Sequence, residues 1–116
     1  MADQCDLLCL DLPLAERIRC EIDATAATPA VARAAALADP TRFSIAQALR
    51  AGEELCGCDL AWVTARSQPL VSHHVKVLRE AGLVHARRDG RIVFFALTSP
   101  GRRMLEALLP ADGVAR

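Results

Sequence analysis

A chain of 116 residues, 53% of them apolar, is sized for about one domain. Aromatic side chains make up 3%, and the apolar residues are mostly Ala, Leu and Val, a balance that favours helices over a β-sandwich. The formal net charge is zero, but residues 1–65 carry five basic and ten acidic side chains while residues 66–103 carry eight basic and two acidic ones, a split that points to one basic face for a polyanion.

Residues 1–28 read as an acidic arm followed by a helix. The arm, residues 1–11, holds Cys5 and Cys9, and its start (Met1-Ala2-Asp3-Gln4) lacks the basic region of a secretory signal. No apolar run has the roughly 18 residues of a membrane span. A cytoplasmic location is therefore expected, where five cysteines point to metal binding or redox sensing rather than to disulfides. A first helix follows Pro13, with Leu14, Ile18 and Ile22 on one face.

Residues 29–109 read as the main domain, with 110–116 as a tail. Thr28-Pro29 predicts an N-cap with proline at the first helical position, and this second helix runs to Leu37. Asp39-Pro40 repeats the signal for a third helix carrying Phe43, Ile45, Ala46 and Leu49, which ends with Gly52 as its C′ residue. A short helix spans about Cys58 to Ala65. After the turn Arg66-Ser67-Gln68, with Ser67 or Gln68 near the cap, a longer helix starts at Pro69, runs to Ala81 and stops at Gly82, with Val71, Val75, Leu78 and Leu83 facing inward. Short helix, tight turn and longer helix make a helix-turn-helix.

Beyond Gly82 the period changes to two. Leu83–Arg88 and Arg91–Leu97 read as strands around Asp89-Gly90, a two-residue hairpin turn. Ser99-Pro100 opens a last helix with Met104, Leu105, Leu108 and Leu109 on one face. The expected order is α-α-α-α-α-β-β-α: a mainly α winged helix-turn-helix with a β-hairpin wing. So small a chain buries only about two thirds of its unfolded surface, and a homodimer is expected.

Four cysteines, Cys5, Cys9, Cys56 and Cys58, offer soft thiolate ligands for a thiophilic ion. Residues two apart lie about 200° apart around a helix, so Cys56 and Cys58 must straddle a helix start, with Gly57 permitting the bend. Cys20 stands alone and reads as packing before ligand. Asp59 reads as a helix-start acid, His73 as a DNA contact, His74 as a core or supporting residue and His85 as a strand surface residue. For DNA, the start of the long helix offers Gln68, Leu70, Val71, Ser72 and His73 to base edges, Val71 reading equally well as core. Lys76, Arg79, Arg87, Arg88 and Arg91 suit phosphates. No Ser/His/Asp set, phosphate loop or paired acids suggest an enzyme.

Several runs then match one family in order: Ala36-Leu37-Ala38-Asp39-Pro40-Thr41-Arg42, Glu54-Leu55-Cys56-Gly57-Cys58-Asp59-Leu60, Ser67 to Val84, and the wing Arg87-Arg88-Asp89-Gly90-Arg91. Together they resemble the ArsR/SmtB family of metal-responsive repressors over roughly residues 29–109. The arm Cys5-Asp6-Leu7-Leu8-Cys9 resembles the cysteine pair of its cadmium/lead-sensing, CadC-type branch. The resemblance implies a dimer joined through its terminal helices, with the arm of one subunit meeting the cysteine box of the other. It implies binding of an imperfect operator palindrome by the metal-free dimer, and release when cadmium or lead binds, zinc or arsenite being the alternative inducers. Ala61 stands where the arsenic-sensing branch usually has a third cysteine. Residues 99–116 hold no His, and Glu106 and Asp112 are their only carboxylates, so they lack the ligand set that zinc-sensing branches carry in the last helix. A thiol redox sensor and a structural-zinc module are the competing readings.

Overall fold

The computed structural model describes residues 9–22 and 24–110. The chain divides into two compact units, residues 1–30 and 31–116. In the first, α1 (Leu12–Glu21) starts at Asp11, whose side chain accepts from the Leu14 N–H at 2.8 Å, with a proline in the first turn. Its apolar side chains stay largely in solvent, Ile18 at 41% and Leu12 at 59% exposure. The second helix, α2 (Ala24–Leu37), begins upstream of the expected Thr28-Pro29 start and carries Pro29 inside it. Alanine is the strongest helix former, and the Ala-rich run carries the helix through a proline that has no N–H to give the carbonyl four residues earlier.

The second unit follows the expected order with one addition. Helix α3 (Pro40–Gly52) starts where Asp39 accepts from the N–H groups of Thr41 and Arg42 at 2.9 and 3.0 Å. A two-residue strand, β1 (Leu55–Cys56), precedes α4 (Gly57–Thr64) and α5 (Gln68–Glu80); the hairpin β2 (Val84–Asp89) and β3 (Ile92–Leu97) leads to α6 (Ser99–Leu108). The sheet is three-stranded, in the order β1-β3-β2 and antiparallel throughout. Two residues are too few to carry a period, so β1 was invisible as a pattern. Asp89 pairs with Ile92, which makes Gly90-Arg91 the turn, one residue later than expected. Gly90 has φ 66° and Arg91 does not have a positive φ, as suits a two-residue turn with glycine first.

Ile45 and Leu49 of α3, Leu60 of α4, Val71, Val75 and Leu78 of α5, Leu83, and Leu105 of α6 form the buried centre. Each such side chain contributes roughly 1.5–3 kcal/mol when fully buried. Arg50 reaches Glu106 at 3.2 Å and joins α3 to α6 at the surface. Thr98 fixes the start of α6: its hydroxyl donates to the Gly82 carbonyl at 2.7 Å and accepts from the Gly101 N–H at 3.1 Å. No helix among the described residues is long and apolar enough to cross a membrane.

The end of α3 also departs from expectation. Gly52 belongs to the helix, and a side chain there would press on Leu55, 2.9 Å from its Cδ2. The residue with positive φ is Glu53, at φ 68° and ψ −61°. The Glu54 N–H donates across it to the Gly52 carbonyl at 2.8 Å, a γ-turn of the rare, strained hand. Such conformations cost about 1–3 kcal/mol in a residue with a side chain, and glycine adopts positive φ readily. Glu53→Gly is therefore expected to stabilise the protein by about 1 kcal/mol after glycine's own entropy cost. The reading is a higher urea midpoint at unchanged slope; an unchanged or lower midpoint would mean the turn holds no strain.

Candidate functional site

The cysteine box begins in the sheet and ends in a helix. Cys56 is the last residue of β1, paired with Phe94, and the N-cap of α4. Cys58 is the second residue of that helix. The two therefore straddle a helix start, as their spacing required. Gly57 has an ordinary negative φ and open space where a Cβ would sit, so the bend does not depend on glycine there. Asp59 accepts from the Cys56 N–H at 3.2 Å and serves as the helix-start acid. Cys56 is half-buried and Cys58 exposed, both as free thiols. The helix dipole favours negative charge at this end, and the Asp59 carboxylate supplies it. Two soft donors opening onto a hollow fit a thiophilic ion whose other ligands come from outside the box.

That hollow, about 390 Å³, is walled by Cys56 and Cys58, by Gln68 and Ser72 of α5, by Arg91 of the wing turn and by Phe95 of β3. The Gln68 amide donates through Nε2 to Cys58 Sγ at 3.1 Å. Helix α5 starts at Ser67, whose hydroxyl accepts from the Leu70 N–H at 3.3 Å. Between the two helices Ala65 takes the left-handed conformation, φ 56° and ψ 43°, which turns the chain sharply. Gln68, Leu70, Ser72, His73, Lys76 and Arg79 stand exposed on α5, and Arg88 and Arg91 on the wing. Val71 takes the core position that the sequence offered it beside a base contact. It is 1% exposed and packs in the core, at the floor of the same hollow. Lys76 and Arg79 line a second hollow with His85, at the junction of α5 and β2.

Arg87 was expected to meet phosphate, yet it is engaged within the protein. Its guanidinium donates to both carboxylate oxygens of Glu54, each at 2.8 Å, and lies 5.0 Å from the centre of the Phe94 ring. Nothing local in the sequence links residues 54 and 87, so this pair was missed. The Arg87 hydrogen bonds hold the Glu54 carboxyl below its ordinary range, and Glu54 raises Arg87 in turn. A carboxyl with a lowered folded value adds stability that is present above its unfolded value near 4.5 and disappears as pH falls through the folded value. Glu54→Gln should therefore lie below the parent in urea midpoint at pH 7, the gap narrowing as pH falls below about 4. A gap that stays constant with pH would exclude the ion pair as its cause. Arg42 was also missed: its side chain donates to the Ala36 carbonyl at 2.7 Å and approaches His74 Nδ1 at 3.4 Å, which gives His74 a supporting role.

Cys9 and Cys20 lie in the first unit, both exposed and free, and Cys5 lies outside the described residues. Among the described residues, no three of His, Cys, Asp and Glu gather as a metal site, so within the second unit the box offers a pair of thiols.

Residues 39–86 match the model of a bacterial regulatory protein family, the arsR family. A putative arsenical resistance operon repressor ArsR of Halobacterium salinarum is 41% identical over 93 residues, covering 76% of this chain and 72% of that protein. A homolog of the cadmium resistance transcriptional regulatory protein CadC of Staphylococcus aureus is 39% identical over 62 residues, covering 53% of this chain; the chain spans about half, 51%, of that relative. Among solved structures, a homodimeric winged helix-turn-helix DNA-binding domain from Mycobacterium bovis superposes with a TM-score of 0.66 over 93% of this chain and 86% of that one, at 24% identity. The fold is thus the winged helix-turn-helix of DNA-binding regulators, and the relatives are regulators rather than enzymes.

Proposed function

Because the chain belongs to the arsR family of bacterial regulatory proteins, we propose that it is a cytoplasmic repressor that binds operator DNA as a metal-free homodimer and releases it when a thiophilic ion takes its cysteine thiolates. The observation that carries this reading is the single hollow in which Cys56 and Cys58 share walls with Gln68, Ser72 and Arg91. The ion-binding and DNA-reading residues are two sides of one space. The arsenical and cadmium resistance named for two relatives support a soft inducer. Cadmium or lead is the first expectation, with Cys5 and Cys9 joining Cys56 and Cys58 as thiolates; zinc and arsenite are the alternatives.

A bound soft ion supplies a cross-link between thiolates. Cys56 and Cys58 anchor that cross-link at the start of α4, one helix before the reading helix. On the DNA side Gln68, Leu70, Ser72 and His73 face base edges, while Lys76, Arg79, Arg88 and Arg91 meet phosphates. Arg87 already holds Glu54 and is the least available of the set. A second copy would cover the apolar groove between Ala34 and Leu37 of α2 and Met104 and Leu108 of α6. If the ion favours a dimer shape that fits DNA badly, ion and operator weaken each other reciprocally.

The test is operator binding by fluorescence anisotropy, with reduced metal-free protein titrated separately with cadmium, lead, zinc and arsenite. Release near stoichiometric cadmium or lead is expected. Release by arsenite alone would assign the inducer to the arsenical class. Binding that no thiophilic ion alters, but that peroxide abolishes, would replace the metal sensor with a redox sensor.

A further inference from the structure

We propose that Gln68 is the residue that carries the state of Cys58 to the DNA-reading helix. The inference rests on the sensor reading above and names the contact through which it works. Gln68 is the first residue of α5, directly after the N-cap Ser67. Its Nε2 sits 3.1 Å from Cys58 Sγ, ten residues back in the chain at the start of α4. This side chain thus ties the ligand end of the first helix of the helix-turn-helix to the reading end of the second. No other side-chain hydrogen bond among the described residues joins α4 to α5.

The chemistry of the acceptor gives the contact a direction. A neutral thiol sulfur accepts hydrogen bonds weakly, whereas a sulfur that carries charge is a strong acceptor. A ligand sulfur held by an ion keeps that charge in part, and donors around metal ligands orient them and strengthen binding. With Cys58 as a thiol the bond is made but weak, and the Gln68 carboxamide can leave it to lay Oε1 and Nε2 along an adenine edge, the arrangement that suits this side chain in the major groove. With Cys58 as an ion-bound thiolate, Nε2 is drawn to sulfur and the rotamer is fixed over the box. Gln68 is a positioning residue for the thiolate and a reading residue for DNA, and it serves the two poorly at once. The shared hollow gives it room to move between them.

The test uses Gln68→Met, which keeps the length of the side chain and removes its donor. Cadmium affinity is measured without DNA by competition with a chromophoric chelator, and the sulfur-to-cadmium absorption band checks that the same thiolates bind. Cadmium binding is expected to weaken about tenfold with an unchanged band, the scale typical of a lost donor beside a metal ligand. Operator affinity is then measured with and without cadmium, and the ratio of the two is expected to fall at least fivefold in the variant. Equal cadmium affinity and an equal ratio in variant and parent overturn the assignment of Gln68 and leave the sensor standing. A parent whose operator affinity ignores cadmium overturns both. If Gln68→Met loses operator binding altogether, the cadmium affinity alone decides: a tenfold loss supports the role and no loss removes it.

Discussion

Replacing Gly101 by alanine is expected to cost about 3 kcal/mol of stability, at the upper end for overpacking one methyl into a filled site. Gly101 is buried in the first turn of α6. A Cβ built there overlaps the Leu83 carbonyl oxygen and lies 3.0 Å from its carbonyl carbon. These are backbone atoms, and they are held. The Leu83 carbonyl accepts from the Thr98 N–H at 3.0 Å, the Thr98 hydroxyl donates to the preceding Gly82 carbonyl, and Leu83 itself is fully buried. The methyl can be admitted only by lifting the start of α6, which loosens Leu105 in the core. For a domain of this size the melting temperature should fall by more than about 10 °C, read by circular dichroism alongside a urea titration. Gly57→Ala is the control, because nothing lies within 4 Å of its Cβ position. A G101A variant as stable as G57A would show that α6 does not seat on residues 82 and 83.

The second large effect concerns function. Cys56→Ser and Cys58→Ser should each keep metal-free operator binding within about twofold and abolish release by the inducing ion. Coupling between sites of this kind is typically about 5–150-fold, and it should fall to about one. Serine is close in shape to cysteine, and it is a preferred N-cap, so at position 56 it suits the start of α4 better than cysteine does. Loss of folding is therefore not the expected route to loss of response. What is lost is the soft donor: a hydroxyl stays protonated where a thiolate binds. Operator titrations with and without cadmium decide the matter, and full release retained in both variants would remove the box from the mechanism.

Helix starts were the most legible part of the sequence, because their signals are local. Asp39-Pro40 and Ser67 followed by Pro69 each name a cap and a first turn within three residues, and both helices start there. The inward stripe Val71, Val75 and Leu78 was equally plain, and all three side chains are buried. Thr28-Pro29 misled because the same dipeptide signal can be overridden by a good helix former on either side. What stayed hidden depends on chain segments far apart. β1 exists only through its pairing with β3, and Glu54 meets Arg87 across 33 residues. The Gln68 bond to Cys58 spans the turn between two helices, so its residue types were noted separately and their meeting was not. The positive φ of Glu53 breaks the expectation that glycine takes such a position, while Gly52 stays in the helix against Leu55.

The pairing of Cys56 with Phe94 means that the wing does not open by itself. Native proteins loosen in cooperative patches, each with its own opening free energy. The turn at Gly90-Arg91 is exposed and can fray alone. The root of β3 around Phe94 and Phe95 is bonded on one side to β2 and on the other to the strand that carries Cys56. To release those amides, the start of α4 must let go as well. The cysteine box and the base of the wing therefore form one opening unit, and a ligand that tightens either end slows exchange with solvent across both.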